Sequence, residues 1–370
     1  MTKYNEEQVL KIAKRYKNSK RKYLLVDPLQ AKHIPVSPSK ALKLMDDLGK
    51  AVREKYTKAF LVIGFAETAT AIASAVAGNL ADCFYVQTTR ENIGSEYLKF
   101  EEQHSHAVEQ RLCIKNIAEA ILDSPQIIFV DDEISTGNTL LNIVSCLRGR
   151  YPEISDKKIV IASVIDRVSN ENRKKLADNN IDCISLCKIE ERNYEEDISN
   201  IDAKAPDPQY FGTEICLSHT TIETDNKILD PRTGLKMSDY KKSLDAFSDE
   251  AMVHINVQSD EKILVLGTEE CMYPALLLGK KIEEKYNAEI YCHASTRSPI
   301  GVSVQEDYPI NNGYKINSFY DGGRVNYIYN INKYDRIFIA TDSKKDTNAM
   351  NSLYAVFKEH DCGEIILIRG

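Results

Sequence analysis

Two periods of hydrophobic and polar positions alternate along the chain, and together they predict an α/β fold. Short, almost continuous apolar runs occur at residues 22–26, 60–63, 83–86, 127–130, 158–165 and 181–188. Such runs are typical of parallel strands that are buried on both faces. Between several runs, apolar residues recur at helical spacing, as at Leu140, Ile143, Val144 and Leu147. The alternation predicts a right-handed parallel sheet with helices on both faces.

The N-terminal region is predicted to hold two helices that are joined by a strand and a loop. Residues 5–20 are polar and are predicted to be helical, and residues 38–56 form a second helix that a nearby serine could cap. Between the strand and this helix, residues 27–38 carry three prolines and predict an extended loop. Lys32 and His33 in this loop either contact a ligand or lie exposed on a hood, and the pattern leaves both interpretations open.

Residues 260–370 repeat the order of elements in the first half. The pattern weakens between residues 190 and 259, apart from a helix predicted at 239–253. Three landmarks then recur at offsets of 203, 207 and 210 residues: Gly64 and Gly267, Arg90 and Arg297, and Asp132 and Asp342. Recurrence in both order and spacing indicates an internal duplication. We therefore predict two Rossmann-like parallel-sheet domains, at residues 1–205 and 260–370, joined by a linker or hood segment at residues 206–259.

Length, charge and cysteine usage narrow the class of protein. The chain has 370 residues, is 43% hydrophobic and carries a formal net charge of −7. This length suggests about two domains, and the acidic balance disfavours nucleic-acid binding. The nine cysteines are scattered without metal-ligand or disulfide spacing, so we expect no metal site built by the protein alone and a cytoplasmic location. We expect no signal peptide and no membrane span, because no apolar run is long enough.

The stretch at residues 127–139 carries the chemistry around which the first half is organised. Four apolar residues lead into Asp131 and Asp132, and a hydroxyl-rich segment with Gly137 precedes the next helix. Open α/β sheets place their ligands at the carboxyl ends of strands. Two carboxylates there accept hydrogen bonds from vicinal hydroxyls, while backbone N–H groups of a turn and a helix N-terminus favour an anion. The stretch therefore predicts a sugar site beside a phosphate site.

Three other interpretations of this stretch compete. Apolar residues before an acidic pair also occur in the Walker B motif, but the chain has no Gly-x-x-x-x-Gly-Lys-Ser/Thr segment. Phosphorylation receiver domains also place acids after a strand, although they do not need the Ser-Thr-Gly-x-Thr that follows here. A chance strand, turn and helix is the third alternative.

The stretch resembles the motif of type I phosphoribosyltransferases, which bind 5-phosphoribosyl-1-pyrophosphate (PRPP). The resemblance implies that Asp131 and Asp132 hold the ribose 2′- and 3′-hydroxyls. It also implies that a phosphate loop wraps the 5-phosphate, and that an earlier pyrophosphate loop follows the strand at residues 60–63. The phosphate loop is Ser135, Thr136, Gly137, Asn138 and Thr139, and the pyrophosphate loop includes Gly64, Phe65, Ala66, Glu67 and Thr68. Glu133 departs from the motif.

The segment between these loops is similar to that of orotate phosphoribosyltransferases. In those enzymes a basic residue at the strand end binds pyrophosphate, a role that falls to Arg90, and a mobile loop closes over the site. Residues 92–106 would form that loop, with Lys99, His104 and His106 as its cationic or proton-carrying groups. The loop holds fewer lysines than in those enzymes. The alternative is a polar hairpin whose histidines bind backbone carbonyls.

The second half contains the tetrapeptide Thr296-Arg297-Ser298-Pro299. The chain thereby resembles a bacterial family, associated with tellurite-resistance gene clusters, that joins an orotate-type phosphoribosyltransferase domain to a C-terminal TRSP domain. The second copy has Thr341 in place of the first acid of the pair and has lost the glycine-bearing phosphate loop. We predict that it binds another phosphorylated ligand through Thr296, Arg297, Ser298 and Arg324. A structural or interfacial role for the two arginines is the alternative.

The resemblance implies transfer of a 5-phosphoribosyl group from PRPP to a base-like nitrogen acceptor, with release of pyrophosphate. Mg²⁺ would be held mainly through PRPP, and the chain would form a homodimer. The competing hypothesis is a sensor that binds PRPP or a nucleotide without catalysis. PRPP synthetases also pair two such domains, but no ATP site is evident in this sequence.

Overall fold

The computed structural model describes residues 3–16, 21–58, 60–81, 83–101, 109–190, 192–208, 220–344 and 347–370. The helices of these residues are α1 Glu6–Val9, α2 Pro38–Lys55, α3 Thr70–Gly78, α4 Ile117–Asp123, α5 Asn138–Arg150, α6 Asn170–Asp178, α7 Met237–His254, α8 Tyr273–Lys285 and α9 Thr347–Glu359. The strands up to residue 190 are β1 Lys11–Lys14, β2 Tyr23–Val26, β3 Phe60–Gly64, β4 Cys83–Gln87, β5 Tyr97–Glu101, β6 Glu109–Cys113, β7 Gln126–Ile134, β8 Lys158–Asp166 and β9 Ile181–Lys188. The later strands are β10 Asp207–Pro208, β11 Thr220–Glu223, β12 Leu235–Lys236, β13 Lys262–Gly267, β14 Glu289–Ala294, β15 Gly313–Asn317, β16 Val325–Tyr329, β17 Arg336–Thr341 and β18 Glu364–Arg369.

The chain divides into two compact units, each built from separate stretches of sequence. The first unit comprises Met1–Val9, Lys43–Arg192 and Leu229–Lys242, and the second comprises Leu10–Leu42, Asn193–Ile228 and Ser243–Gly370. Residues 10–42 and 193–205, which were predicted within the first domain, lie in the second unit, and Leu229–Lys242 of the predicted linker lies in the first unit.

The first unit contains a six-stranded sheet in the order β12-β4-β3-β7-β8-β9. All of its strand pairs are parallel except β12 with β4. The side chains of β3 and the first half of β7 are buried, as parallel strands covered on both faces require. Helix α5 buries the predicted stripe of Leu140, Ile143, Val144 and Leu147. The predicted α/β class is thereby confirmed for this unit.

The second unit contains a wholly parallel five-stranded sheet in the order β11-β18-β17-β13-β14. Four of its strands follow the order of the first sheet when β3, β4, β7 and β8 are matched to β13, β14, β17 and β18. Each unit also carries an antiparallel strand pair after its second strand, β5 with β6 and β15 with β16. The same topology in both units is what the predicted duplication requires.

The prediction of a helix over residues 5–20 was wrong for the part that the structure describes, since only α1 is helical among residues 5–16. Strand β1 follows and pairs antiparallel with β2. Ala13 of β1 and two residues of β2 join a buried apolar cluster with Ile300 and Tyr329 of the second unit. Long-range packing therefore overrides the helical propensity of this polar segment.

The loop at residues 27–38 is not the exposed hood that one interpretation predicted. Lys32 is fully buried and His33 is 2% exposed. Lys32 Nζ donates to the carbonyl oxygens of Glu269 and Ser295, each at 3.0 Å. A buried ammonium needs such acceptors, so this loop is part of the interior of the second unit.

The segment at residues 206–259 contributes to both sheets instead of only linking them. β11 is the edge strand beside β18, and β12 pairs with β4. Helix α7 covers the predicted helix at residues 239–253. In the described part of the chain, no helix has the combination of length and apolar character that crossing a membrane demands.

Candidate active site

The carboxyl edge of the first sheet has a topological switch point between β3 and β7. From β3 the chain passes to β4 on one side, whereas β7 leads to β8 and β9 on the other side. The crevice outside the strand ends at such a point is where open α/β sheets bind ligands. The two loops predicted to bind PRPP, residues 64–70 and 135–139, start from these two neighbouring strands.

The acid pair lies within β7 rather than after it. The strand continues to Ile134 because Asp131, Glu133 and Ile134 stay in register with β8. Thr68 Oγ1 donates to Asp132 Oδ1 at 2.9 Å, and the Asp132 backbone N–H donates to Asp131 Oδ1 at 2.9 Å. Thr68 of the predicted pyrophosphate loop is thus joined to the acid pair.

Burial raises the pKa of Asp132 above its ordinary value. The hydrogen bonds with Asp131 and Thr68 oppose this shift, while the negative charge of Glu133 adds to it. Three acids in succession repel one another, so a cation or a hydroxyl donor placed there is favoured. The pair is therefore suited to polar ligands that carry hydroxyl groups or a positive charge.

The predicted phosphate loop has a glycine at its centre that no other residue could replace without strain. Gly137 has φ +74° and is the N-terminal cap of α5. A Cβ at this position would lie 2.9 Å from Leu176 Cδ2. Ser135, Thr136, Asn138 and Thr139 are all partly exposed around it. The first N–H groups of a helix and these hydroxyls together form a favourable place for an anion.

The predicted pyrophosphate loop is held in place by two buried polar side chains. The Ala66 N–H donates to Thr88 Oγ1 at 2.8 Å, and Gln110 Nε2 donates to Ala66 O at 3.0 Å. Thr88 Oγ1 donates in turn to Gln110 Oε1 at 2.6 Å, which closes a ring of hydrogen bonds. The peptide bond between Ala66 and Glu67 is cis. Gly64 packs tightly, since a Cβ there would lie 2.4 Å from Ala73 Cβ.

The segment predicted as a closing loop is in part the β5–β6 hairpin. Lys99 is exposed on β5, and its Nζ lies 3.2 Å from Glu109 Oε2. Thr89 exchanges two backbone hydrogen bonds with Arg111 of β6, which anchors the hairpin beside the half-buried Arg90. The predicted His104 and His106 lie outside the described residues. The roles given to Arg90, Lys99 and the two histidines stay predictions.

Comparison with protein-family models identifies the chain. A model described as "phosphoribosyl transferase" matches residues 9–190, and a model described as the TRSP domain C-terminal to it matches residues 230–357. Together they match more than four-fifths of the sequence. The chain belongs to this family of phosphoribosyl transferases with a C-terminal TRSP domain. No protein of curated function matches the chain in sequence.

Solved structures of adenine phosphoribosyltransferases resemble half of this family member. The enzyme from Giardia lamblia, complexed with 9-deazaadenine, is 12% identical with a TM-score of 0.33, over 49% of this chain and 94% of its own. The enzyme from Trypanosoma brucei, in complex with AMP, pyrophosphate and ribose-5-phosphate, is 11% identical with a TM-score of 0.35, over 50% of this chain and 80% of its own. Likenesses this weak carry no argument about the substrate.

Two polar arrangements of the phosphoribosyl transferase domain escaped the sequence analysis. Thr88 and Gln110, which clamp residue 66, are distant from each other in sequence and belong to no motif. The second is the ion pair of Arg167 Nε with Glu133 Oε1, the acid that directly follows the pair. This ion pair could have been predicted from the sequence, because both residues stand at the carboxyl ends of strands that are predicted to be parallel.

The four residues predicted as a ligand site of the TRSP domain have different surroundings. Thr296 is 1% exposed, and its Oγ1 accepts from the Ser298 N–H at 3.2 Å, so it shapes the turn. Arg297 and Arg324 come together instead, each within ion-pair distance of the Glu269 carboxylate. The prediction that these two arginines share one site is therefore compatible with the fold, and the ligand stays a proposal.

Proposed function

We propose that this protein transfers the 5-phosphoribosyl group of PRPP to a nitrogen atom of a small, base-like acceptor and releases pyrophosphate. The observation that carries this proposal is the hydrogen bond between Thr68 and Asp132, at 2.9 Å. It joins a pyrophosphate-type loop to the acid pair at the switch point of the sheet. Family membership supports the same reaction class.

The acid pair would hold the ribose and stabilise the charge that develops on it. Cleavage of the bond between C1 and pyrophosphate leaves positive charge on the sugar ring, and preorganised carboxylates nearby lower the energy of that state. The ribose hydroxyls would donate hydrogen bonds to Asp131 and Asp132. The acceptor nitrogen then attacks C1 from the side opposite the leaving group.

The leaving pyrophosphate would be received by residues 64–70 and by Arg90. The backbone N–H groups of the loop and the guanidinium compensate its negative charge, while residues 135–139 keep the 5-phosphate fixed. A hairpin that covers the site would exclude water, which otherwise competes with the acceptor.

Mg²⁺ fits this site as an ion brought in mainly by the substrate. Asp131 and Asp132 offer the oxygen ligands that Mg²⁺ prefers. Among the residues that the structure describes, no group of three or more His, Cys, Asp or Glu side chains could hold a metal. Oxygens of PRPP would therefore supply most of the ligands. When bound, Mg²⁺ would neutralise part of the pyrophosphate charge.

The combined substitution Asp131→Asn and Asp132→Asn tests the proposal. We expect the rate of pyrophosphate release from PRPP to fall by at least about a thousandfold, in an assay with a panel of purine and pyrimidine bases. Circular dichroism should show an unchanged fold. Pyrophosphate release at the wild-type rate would refute the assignment.

Calorimetry separates the enzyme from a sensor. PRPP is titrated into the wild-type protein with and without candidate bases, and pyrophosphate is measured in the same samples. Binding followed by pyrophosphate release supports the transferase, whereas saturable binding without release under every condition would favour a sensor.

By family resemblance we also propose a cytoplasmic homodimer. The molar mass of the protein in solution would test the dimer.

A further inference from the structure

The TRSP domain carries a second group of charged side chains at the carboxyl edge of its own sheet. From β13 the chain passes to β14 on one side, whereas β17 leads to β18 on the other, so a switch point lies between β13 and β17. Residues of four connections meet at this edge. They bring together what we name the strand-end cluster: Lys32, Glu269, Glu270, Arg297 and Arg324.

Glu269 is the centre of the strand-end cluster, and its carboxylate is fully buried. Its Oε2 accepts from Arg324 Nη2 at 2.6 Å and lies 3.5 Å from Arg297 Nε. Its Oε1 accepts from Ser318 Oγ at 2.7 Å and from the Phe319 N–H at 3.0 Å. One carboxylate thus fixes the orientation of two guanidinium groups from separate loops.

The described side chains of the cluster are three cations and two buried carboxylates. Lys32, Arg297 and Arg324 face two buried carboxylates, and Glu270 lies 3.4 Å from Arg297 Nη2. The next acid, Asp321, is 4.0 Å from Arg324 Nη1, but its side chain is 59% exposed, so water screens it. Removing five charged groups from water is costly, and apolar residues in their place would stabilise the domain at least as well. An anion bound beside the two arginines would offset part of this cost.

The backbone at the cluster is also unusual. Glu269 has φ +53°, a left-handed conformation that is uncommon for any residue except glycine. Such conformations are energetically unfavourable and concentrate at ligand sites. The residue that orders both arginines is therefore held in an unfavourable conformation at the edge where the sheet would present a ligand site.

The position that corresponds to the acid pair is already occupied by protein groups. Tyr320 OH donates to Asp342 Oδ1, and Thr341 Oγ1 is 2.8 Å from Thr268 Oγ1. These side chains satisfy each other, so this edge does not offer two carboxylates to a sugar diol. What it offers a ligand is the two arginines, whose side chains are 10% and 20% exposed.

We propose that the strand-end cluster binds the phosphate group of a phosphomonoester through Arg297 and Arg324. A phosphate group carries close to two negative charges and several acceptor oxygens, which match the planar donor sets of two guanidinium groups. Glu269 and Lys32 position the arginines and do not contact the ligand. This inference is independent of the reaction at the first sheet.

Equilibrium dialysis of the full-length protein tests the proposal, with labelled ribose 5-phosphate and labelled inorganic phosphate as separate probes. We expect the wild-type protein to bind two equivalents of ribose 5-phosphate, one in each unit, and Arg324→Gln to bind one. Arg336→Gln is the matched control, since Arg336 is 21% exposed and ion-paired at the opposite end of the same sheet. The control should bind two.

A second variant guards against loss of the fold. Arg324→Lys keeps the positive charge beside Glu269 but loses the planar donor set, so we expect an unchanged unfolding temperature and at least tenfold weaker binding of one equivalent. Two equivalents with wild-type affinity in both Arg324 variants would overturn the proposal. So would a wild-type protein whose single bound equivalent persists in Arg324→Gln, or a second site that takes inorganic phosphate but not the ester. A single equivalent that Arg324→Gln loses would support this proposal and would count against the phosphate site of the first unit instead.

Discussion

At the scale of single residues, Gln110 should matter to catalysis although nothing suggests that it touches the substrate. It holds Ala66 O directly and Ala66 N through Thr88, and both side chains are buried. Gln110→Leu leaves a buried carbonyl and a buried hydroxyl without their partner, at about 1–3 kcal/mol each. We expect kcat/KM for PRPP to fall about ten- to a hundredfold, mainly through KM, in steady-state assays of pyrophosphate release.

The control for this variant is Gln126→Leu, which changes a glutamine at the amino end of β7, away from the loops. Its kcat/KM should stay within about twofold of the wild-type value. If Gln110→Leu behaved like this control, the ring of hydrogen bonds would have no role in positioning residues 64–70. Restoration of activity by Gln110→Asn at reduced level would indicate that the amide itself is required.

Residue-level prediction succeeded where chemistry is local and failed where partners are remote. Gly137 was predicted from its place between a hydroxyl pair and a helix, and its positive φ explains why the position needs glycine. Gln110 was missed, because its partners are 22 and 44 residues away and no periodic pattern records such pairs. For Lys32 the sequence does not distinguish ligand contact from exposure to solvent, since the composition of a proline-rich loop does not indicate whether the loop is buried.

At the scale of elements, Asp47 ties α2 to the N-terminal residues of the first unit. Burial disfavours its charge, but hydrogen bonds from Lys3, Lys43 and Tyr4 outweigh this and lower the pKa of Asp47 to about 2. Because the folded pKa is below the ordinary value of 3.8, the stabilisation is present above pH 4 and is lost as the pH falls towards 2.

We therefore expect Asp47→Ala to lower the free energy of unfolding by about 1.5–3 kcal/mol at pH 7, the usual value of buried hydrogen bonds to charged groups. Urea denaturation followed at pH 7 and at pH 3 measures both the cost and its dependence on pH. The difference between variant and wild type should shrink at pH 3. Asp156→Ala, at the end of a surface 3₁₀ turn, should cost less than about 0.5 kcal/mol.

Elements with a strong internal period were predicted well, and elements that depend on a partner were not. The stripe on α5 follows from four positions at helical spacing, which the structure buries as expected. The polar segment before residue 20 has no such stripe, and its pairing with β2 is a tertiary effect. Strand β7 extends beyond its apolar run through a tertiary effect of the same kind. Its pairing with β8 continues through the acids that follow the run.

At the scale of the whole molecule, the duplication was visible in the sequence, but the composition of the two units was not. Three landmarks and their offsets predicted that the second sheet would repeat the first, and the shared order of four strands agrees with this. The division into compact units could not be predicted, because residues 10–42 precede the first sheet in sequence yet pack within the second unit. Proximity in sequence therefore does not indicate to which unit a segment belongs.

The duplication leads to a last prediction, that the two halves are unequal in PRPP chemistry. Asp132 and Asp342 stand at corresponding strand ends, but Asp132 lies beside a second acid, whereas Asp342 follows a threonine and accepts a hydrogen bond from Tyr320. We expect Asp132→Asn to reduce the rate of pyrophosphate release at least about a hundredfold. The matched variant Asp342→Asn should leave that rate within about twofold of wild type, since its carboxylate has no part in the proposed reaction. A comparable loss in Asp342→Asn, with the fold intact by circular dichroism, would mean that the second copy has kept a share of the PRPP reaction.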